Sequence, residues 1–299
     1  MSSTNDASGE RSDSPIRRWA RLAFGWGGAF FLVAALATQW DEVRAQVTLS
    51  VPRLVGALVL ILISIVMLAQ GWATLLKDHS YPKVMRRIFY TAQPAKYFPG
   101  GFAQPFGQVA LAVDENVRLG VAGTAFIIHA ATAALAGALL GSGLVFVSTV
   151  PNWIRWLSSI GILAPFFLWR PAITWVARLL GRLTKRQVAP DLVSSQRSII
   201  VAFGWAVGGV LLTSVAFVVL SPDDLFTVKP ASLLAAYAFA WTVGYLALPI
   251  PTGLGIREAT LAVLLPVVGV GTVVAISAIH RLVAMVAEFA VFIASRRWT

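Results

Sequence analysis

Long apolar runs, separated by short polar segments, make up most of this 299-residue chain. Several runs approach or exceed the ~20 residues that a helix needs to cross a bilayer. Residues 257–270 are the shortest, because at about 1.5 Å per residue they cover only about 20 Å of a roughly 30 Å hydrocarbon core. This run either crosses a thinned region or forms a half-helix. The pattern predicts an all-α polytopic membrane protein with about eight transmembrane helices, at 22–39, 54–76, 120–147, 154–177, 199–220, 231–248, 257–270 and 272–295.

Two segments rich in proline and glycine interrupt the apolar runs and carry charge. The first break is residues 96–101, Lys-Tyr-Phe-Pro-Gly-Gly, and the second break is residues 249–258, Pro-Ile-Pro-Thr-Gly-Leu-Gly-Ile-Arg-Glu. Proline and glycine interrupt the helical hydrogen bonds, and at membrane depth the freed backbone groups must be buried in protein or line a wet cavity. Matching breaks in two halves are typical of transporters that bind their substrate there.

The sequence around the first break predicts a re-entrant hairpin. Residues 83–90 form a basic amphipathic segment suited to the headgroup region, and residues 102–113 are an apolar run too short to cross. We expect two loosely repeated halves, about 19–190 and 191–299, each with one broken or re-entrant segment. Counting both arms of the second break as crossings makes the halves parallel and puts both breaks at the cytoplasmic face.

Composition and charge support the membrane interpretation. The chain is 58% hydrophobic and 12% charged, far from a soluble domain. With eight crossings, seventeen Lys and Arg residues fall on one side and four on the other, which predicts both termini in the cytoplasm. The same bias explains the net charge of +11 without a nucleic-acid partner. Residues 1–18 are predicted to be a disordered cytoplasmic tail, and residues 19–299 a single transmembrane domain.

The sequence predicts neither a metal site nor a cofactor. It has no cysteine, and its three histidines are far apart without a ligand spacing. No Gly-x-x-x-x-Gly-Lys-Ser/Thr loop for a nucleotide is present either.

Both breaks resemble those of the lysylphosphatidylglycerol synthase transmembrane-region family. The first looks like that family's Lys/Arg-aromatic-Pro-Gly element, and residues 251–258 look like its Pro-Gly-Gly-Leu-Gly-Val-Arg-Glu element. Arg281 and Glu288 fall where the family tends to place an arginine and a glutamate. The resemblance implies a stand-alone flippase-type membrane domain, without the aminoacyl-transferase domain, in the bacterial inner membrane. Two residues depart from the pattern: Thr252 replaces a glycine, and His129 stands where a glutamate is expected.

The candidate headgroup contacts lie at the breaks and inside two spans. Arg257 and Glu258 lie at the start of a helix, where backbone N–H groups together with a guanidinium group suit an anion. The alternative is that Arg257 is an interfacial anchor and Glu258 an acid that favours the helix N-terminus. Ionisable groups inside a span usually face a partner or a cavity, so Arg281 and Glu288 either line the site or form a structural ion pair. The candidates are Lys96, Tyr97, Gly100, Gly101, Gln104, His129, Gly253, Gly255, Arg257, Glu258, Arg281 and Glu288.

The resemblance implies a translocator for a membrane phospholipid or a polyprenyl-linked lipid. The headgroup would be anionic, aminoacylated or glycosylated. The alternatives are a membrane glycosyltransferase and an accessory subunit in cell-envelope polysaccharide or lipid biosynthesis. The expected protein partners are further copies of this chain, as a homo-oligomer, or an envelope-biosynthesis enzyme. A transferase needs an acidic pair for metal or base chemistry, and Asp114–Glu115 and Asp223–Asp224 are the candidates outside the breaks.

Overall fold

A computed structural model describes residues 50–97, 103–168, 194–222, 229–247, 255–268 and 270–297, and every regular element in these ranges is helical. Four short 3-10 segments, Gln93–Tyr97, Ser142–Phe146, Ile160–Leu163 and Pro266–Val268, connect or extend the α-helices. The α-helices are α1 Val51–Leu75, α2 Pro82–Ala92, α3 Ala103–Asp114, α4 Leu119–Gly141, α5 Asn152–Ser159, α6 Ala164–Phe167, α7 Gln196–Leu220, α8 Pro230–Leu246, α9 Ile256–Leu264 and α10 Val270–Ser295.

Four of these helices are long and apolar enough to cross a membrane. They are α1, α4 with its 3-10 extension to Phe146, α7 and α10, at 25 to 28 residues each. They match four of the predicted spans, and the apolar helix α8 has 17 residues. The predicted span 22–39 lies outside the described residues, as do residues 169–177 of the span 154–177. The all-helical fold is confirmed for the described residues, with four helices of membrane-spanning length and apolarity, and the count of eight spans is not confirmed.

Glycines let two antiparallel helix pairs approach closely. Along α1 and α7, a Cβ added at Gly209 would lie 2.9 Å from Leu68 Cγ, and Ser64 Oγ donates to the Gly209 carbonyl at 2.7 Å. Along α4 and α8, a Cβ added at Gly141 would lie 2.9 Å from Phe239 Cβ. Without glycine at these positions the backbones could not come so near. Close packing through small residues is typical of helices in a membrane, because lipid chains are as apolar as the helix surfaces and no hydrophobic force drives the helices together.

Gly141→Ala should therefore destabilise the protein, whereas Gly123→Ala on the same helix should not. The new methyl at Gly141 also comes within 3.0 Å of Phe239 Cα, which cannot move without shifting α8, while a Cβ at Gly123 meets nothing within 4 Å. We expect a loss of about 1–3 kcal/mol for Gly141→Ala. Thermal unfolding of the purified variants in one detergent measures the difference, and equal midpoints would contradict this account of the packing.

Each half contains a long helix, two short helices that flank a break, and a second long helix. The first half is α1, α2, α3 and α4, and the second half is α7, α8, α9 and α10. The short helices of each half contact each other, α2 with α3 and α8 with α9. The predicted basic amphipathic segment is α2, and the predicted short apolar run is α3. The hairpin arms are thus found as expected, while residues 98–102 and 248–254 between them lie outside the described residues.

The two halves are inverted, whereas the sequence predicted parallel halves. Since α1 and α7 are antiparallel, α7 ends beside the start of α1, where Arg53 Nη1 donates to the Ser221 carbonyl at 3.2 Å. The second hairpin follows α7 at this Val51 end, while the first hairpin follows α1 at the opposite, Leu75 end. The prediction counted residues 231–248 and 257–270 as two full crossings. Instead α9 has nine residues, about 14 Å, so the chain returns to the end from which α8 started.

Candidate functional site

A cavity of about 280 Å³ lies between the two hairpins and the long helices. The short helices α3, α8 and α9 contribute to its wall, and so do α1, α4, α7 and α10. Its charged lining residues are Lys96, Arg257, Arg281 and Glu288, and its uncharged polar ones include Ser64, Gln93, Tyr97, Gln104, Gln108, His129, Thr213, Tyr237 and His280. A polar wall of this extent inside an apolar helix bundle marks a candidate binding site.

The first charged cluster joins the first hairpin to α10. Lys96 and Tyr97 end the 3-10 segment that follows α2. Tyr97 donates its hydroxyl to Glu288 Oε2 at 2.6 Å, and Lys96 Nζ pairs with the other carboxylate oxygen. Lys96 also donates to Gln93 Oε1 at 3.3 Å. Burial, and then the neighbouring Glu288 carboxylate, raise the pKa of the Tyr97 hydroxyl well above its ordinary value, so this group remains a hydrogen-bond donor.

The second charged cluster is centred on Glu258, near the start of α9. Gly255, at φ +81°, adopts a conformation that side chains disfavour, and its N–H donates to Glu258 Oε2 at 2.9 Å. The other oxygen accepts from Ser277 Oγ at 2.9 Å and from Arg281 Nη2 at 2.8 Å. Arg257 Nε lies 3.7 Å from that oxygen. Glu258 therefore caps the helix and holds two guanidinium groups at the cavity.

A chain of hydrogen bonds fixes Arg257 from the other side. Arg257 Nη1 donates to the Tyr237 hydroxyl at 3.2 Å, and that hydroxyl lies 3.1 Å from His280 Nδ1. His280 Nε2 lies 3.0 Å from the Thr213 carbonyl oxygen, which can only accept. Every hydrogen bond in this series has one donor and one acceptor when His280 Nε2 carries the proton. His280 Nδ1 then accepts from the Tyr237 hydroxyl, and that hydroxyl accepts from Arg257. We infer that His280 is neutral and orients Arg257 through Tyr237.

The wall also carries polar side chains that the protein leaves without partners. Gln108 on α3 is fully buried, and neither its Nε2 nor its Oε1 has a hydrogen-bond partner among the described residues. His129 on α4 is buried against the ring edges of Trp72 and Phe89, and its Nδ1 has no partner in the same part of the chain. Buried polar groups are nearly always paired, so these two are candidates for contact with a ligand or with water.

The structure brings most of the predicted site residues together. Lys96, Tyr97, Gln104, His129, Arg257, Arg281 and Glu288 line one cavity. Glu258 lies behind the two arginines, and Gly255 serves as the helix cap and not as a contact. Gly100, Gly101 and Gly253 lie outside the described residues. Arg281 and Glu288 share one face of α10, as the spacing predicts, but each pairs with another partner.

Sequence reasoning missed Tyr237, His280 and Thr213. Tyr237 is a lone tyrosine hydroxyl within the first part of the 231–248 run, and His280 directly precedes Arg281. An isolated polar group in an apolar run was the available signal, because such groups usually face the bundle interior.

Comparisons with known proteins supply no further assignment. Neither a protein-family model nor a curated protein matches this sequence. Within the described ranges, no three His, Cys, Asp or Glu side chains come together as a metal site. The class of protein rests on the fold and the cavity: an all-helical protein with membrane-length helices around a polar, partly cationic interior.

Proposed function

We propose that this protein is an integral membrane translocator that passes an anionic lipid headgroup through its central cavity. The observation that carries the proposal is that Lys96, Arg257 and Arg281 line one cavity inside the helix bundle. Charged side chains inside an apolar bundle are costly, and they are usually retained for transport or binding. The acyl or prenyl chains would remain in the bilayer while the headgroup crosses.

The charge of the site favours a phosphate. Three cationic side chains and the carboxylates of Glu258 and Glu288 surround the cavity, which leaves one positive charge in excess. A phosphodiester carries one negative charge and offers acceptor oxygens to guanidinium and ammonium donors. A bound phosphate would therefore neutralise the wall.

The inverted hairpins supply a route for access from alternate sides. One hairpin begins at the Leu75 end and the other at the Val51 end, and the cavity lies between them. Transporters built from inverted repeats expose a central site to either side in turn as one half moves against the other. The proposal includes the bacterial inner membrane and the two cytoplasmic termini that the sequence predicts.

Translocation in proteoliposomes tests this function. Fluorescently labelled phosphatidylglycerol is incorporated into both leaflets, and dithionite then bleaches the outer label. Wild-type protein should make the inner label accessible, and Arg281→Met should slow this at least tenfold, because the phosphate loses a cationic partner. Glu115→Gln is the matched control, since Glu115 pairs with Arg87 at a half-exposed position away from the cavity wall. Bleaching equal to that of protein-free liposomes would overturn the proposal.

The transferase alternative would use one of the two acidic pairs, Asp114–Glu115 or Asp223–Asp224. Glu115 is engaged with Arg87 at 2.7 Å, at the end of α3, and Asp223 and Asp224 lie outside the described residues. Incubation of the pure protein with a radiolabelled polyprenyl-phosphate sugar and an acceptor lipid separates the two functions. Sugar transfer would establish the enzyme in place of the translocator.

A further inference from the structure

Gln108 can form uncharged hydrogen bonds with a headgroup, which the charged side chains of the two clusters do not offer. Its carboxamide lies on the cavity wall, fully buried, with both polar atoms unpaired within the described ranges. Gln104, four residues earlier on α3, lines the same cavity, as expected for neighbours on one helical face. An amide left unpaired in this way is unfavourable unless a ligand or water satisfies it. A carboxamide both donates and accepts, and so does a hydroxyl group.

In the described part of the chain, the cavity offers no unpaired carboxylate to a cationic headgroup. Glu288 is bound by Lys96 and Tyr97, and Glu258 by Arg281, Ser277 and the Gly255 N–H. Among the residues that the structure describes, no other carboxylate lines the cavity. The adjoining segments 98–102 and 248–254 contain no Asp or Glu in their sequence. An ammonium group would therefore enter a buried, cationic site without a partner, which is strongly unfavourable.

We infer that the cavity selects a phosphate that bears a neutral, hydroxyl-rich headgroup and rejects a headgroup that bears an ammonium. This rests on the proposed function and narrows it, since the sequence left aminoacylated and glycosylated headgroups equally open. The phosphate is held by Lys96, Arg257 and Arg281. The hydroxyl groups meet Gln108, Gln104 and His129, which line the same cavity. A glycerol headgroup and a phosphate-linked sugar share this chemistry.

Binding of four soluble short-chain probes to the purified, full-length protein tests the selection. Dioctanoyl phosphatidylglycerol and citronellyl-phosphate mannose carry neutral hydroxyl groups, dioctanoyl phosphatidylethanolamine carries an ammonium, and dioctanoyl phosphatidic acid carries no headgroup alcohol. We expect at least one of the first two to bind tenfold or more tightly than the ethanolamine probe. The tighter-binding of these two probes shows whether the lipid that carries the headgroup is a phospholipid or a prenyl lipid.

Variants of Gln108 locate the selection on α3. Gln108→Leu should weaken the tighter hydroxyl-bearing probe about tenfold and leave phosphatidic acid unchanged. Gln108→Glu should bring the ethanolamine probe to at least equal affinity, because it supplies the missing carboxylate. Size-exclusion chromatography of both variants verifies folding, and the wild-type ranking of probes stands even if one variant does not fold.

The outcomes separate this inference from the proposed function. If phosphatidic acid binds and the ethanolamine probe binds within threefold of the hydroxyl-bearing probes, the headgroup selection is overturned and the anion site survives. If none of the four probes binds, the proposed function fails as well. Equal losses for the hydroxyl-bearing probes and phosphatidic acid in Gln108→Leu would also overturn the selection, because Gln108 would then act only through the structure of the cavity.

Discussion

Glu258→Gln should lower the free energy of unfolding by about 3–5 kcal/mol, the usual effect of removing one partner from a buried ion pair. The carboxylate accepts from Arg281 and Ser277 through one oxygen and from the Gly255 N–H through the other. Glutamine keeps the shape but removes the charge, and its NH₂ group would face donors. The guanidinium groups of Arg257 and Arg281, both buried, would then lack their counter-ion.

Glu115→Gln is the control for this prediction. It removes the same charge from a pair with Arg87 whose side chains are 33% and 39% exposed, where ion pairs contribute about 0–1 kcal/mol. Unfolding of both variants in the same detergent, followed by loss of helical circular dichroism, gives the comparison. Equal losses in the two variants would show that Glu258 is no more than a surface charge, and that the second cluster does not hold α9 against α10.

Length and apolarity were enough to predict the long helices. The four membrane-length helices α1, α4, α7 and α10 begin and end within a few residues of predicted spans, because a bilayer imposes a minimum apolar length on every crossing. The hairpin arms α2 and α3 could be predicted from the same minimum length, because neither run is long enough to cross the bilayer. Such limits act on the local sequence and need no knowledge of neighbouring elements.

Orientation and partners depended on contacts between distant residues. The inverted relation of the halves arises because α8 and α9 form a hairpin that returns to the end from which α8 started, and this depends on contacts that no local pattern shows. The sequence placed Arg281 and Glu288 on one face but could not say that Glu258 and Lys96 would be their partners. Tyr237 and His280 were missed because their importance comes from one hydrogen-bond chain that ends at Arg257.

The ion pair between Lys96 and Glu288 should compete with the transported lipid. Lys96 is held by Glu288 and lines the same cavity as Arg281, so the carboxylate, while it remains bound to Lys96, weakens the attraction of the ammonium for a phosphate. Glu288→Gln removes this competitor and makes the site more positive. We expect phosphatidylglycerol to bind about tenfold more tightly, a change of about 1.4 kcal/mol. Its translocation should slow about tenfold, because tighter ground-state binding delays release.

Lys96→Met separates this competition from a purely structural role of the pair. That variant leaves Glu288 buried without its cation, so it should lose both stability and at least tenfold in phosphatidylglycerol affinity. The double variant Lys96→Met/Glu288→Gln should recover most of the stability, because no buried charge is left unpaired. It should not recover translocation, since the phosphate would lack its ammonium partner. Weaker binding of phosphatidylglycerol by Glu288→Gln alone would contradict the competition. It would mean that the carboxylate supports the structure of the site and does not oppose binding of the lipid to Lys96.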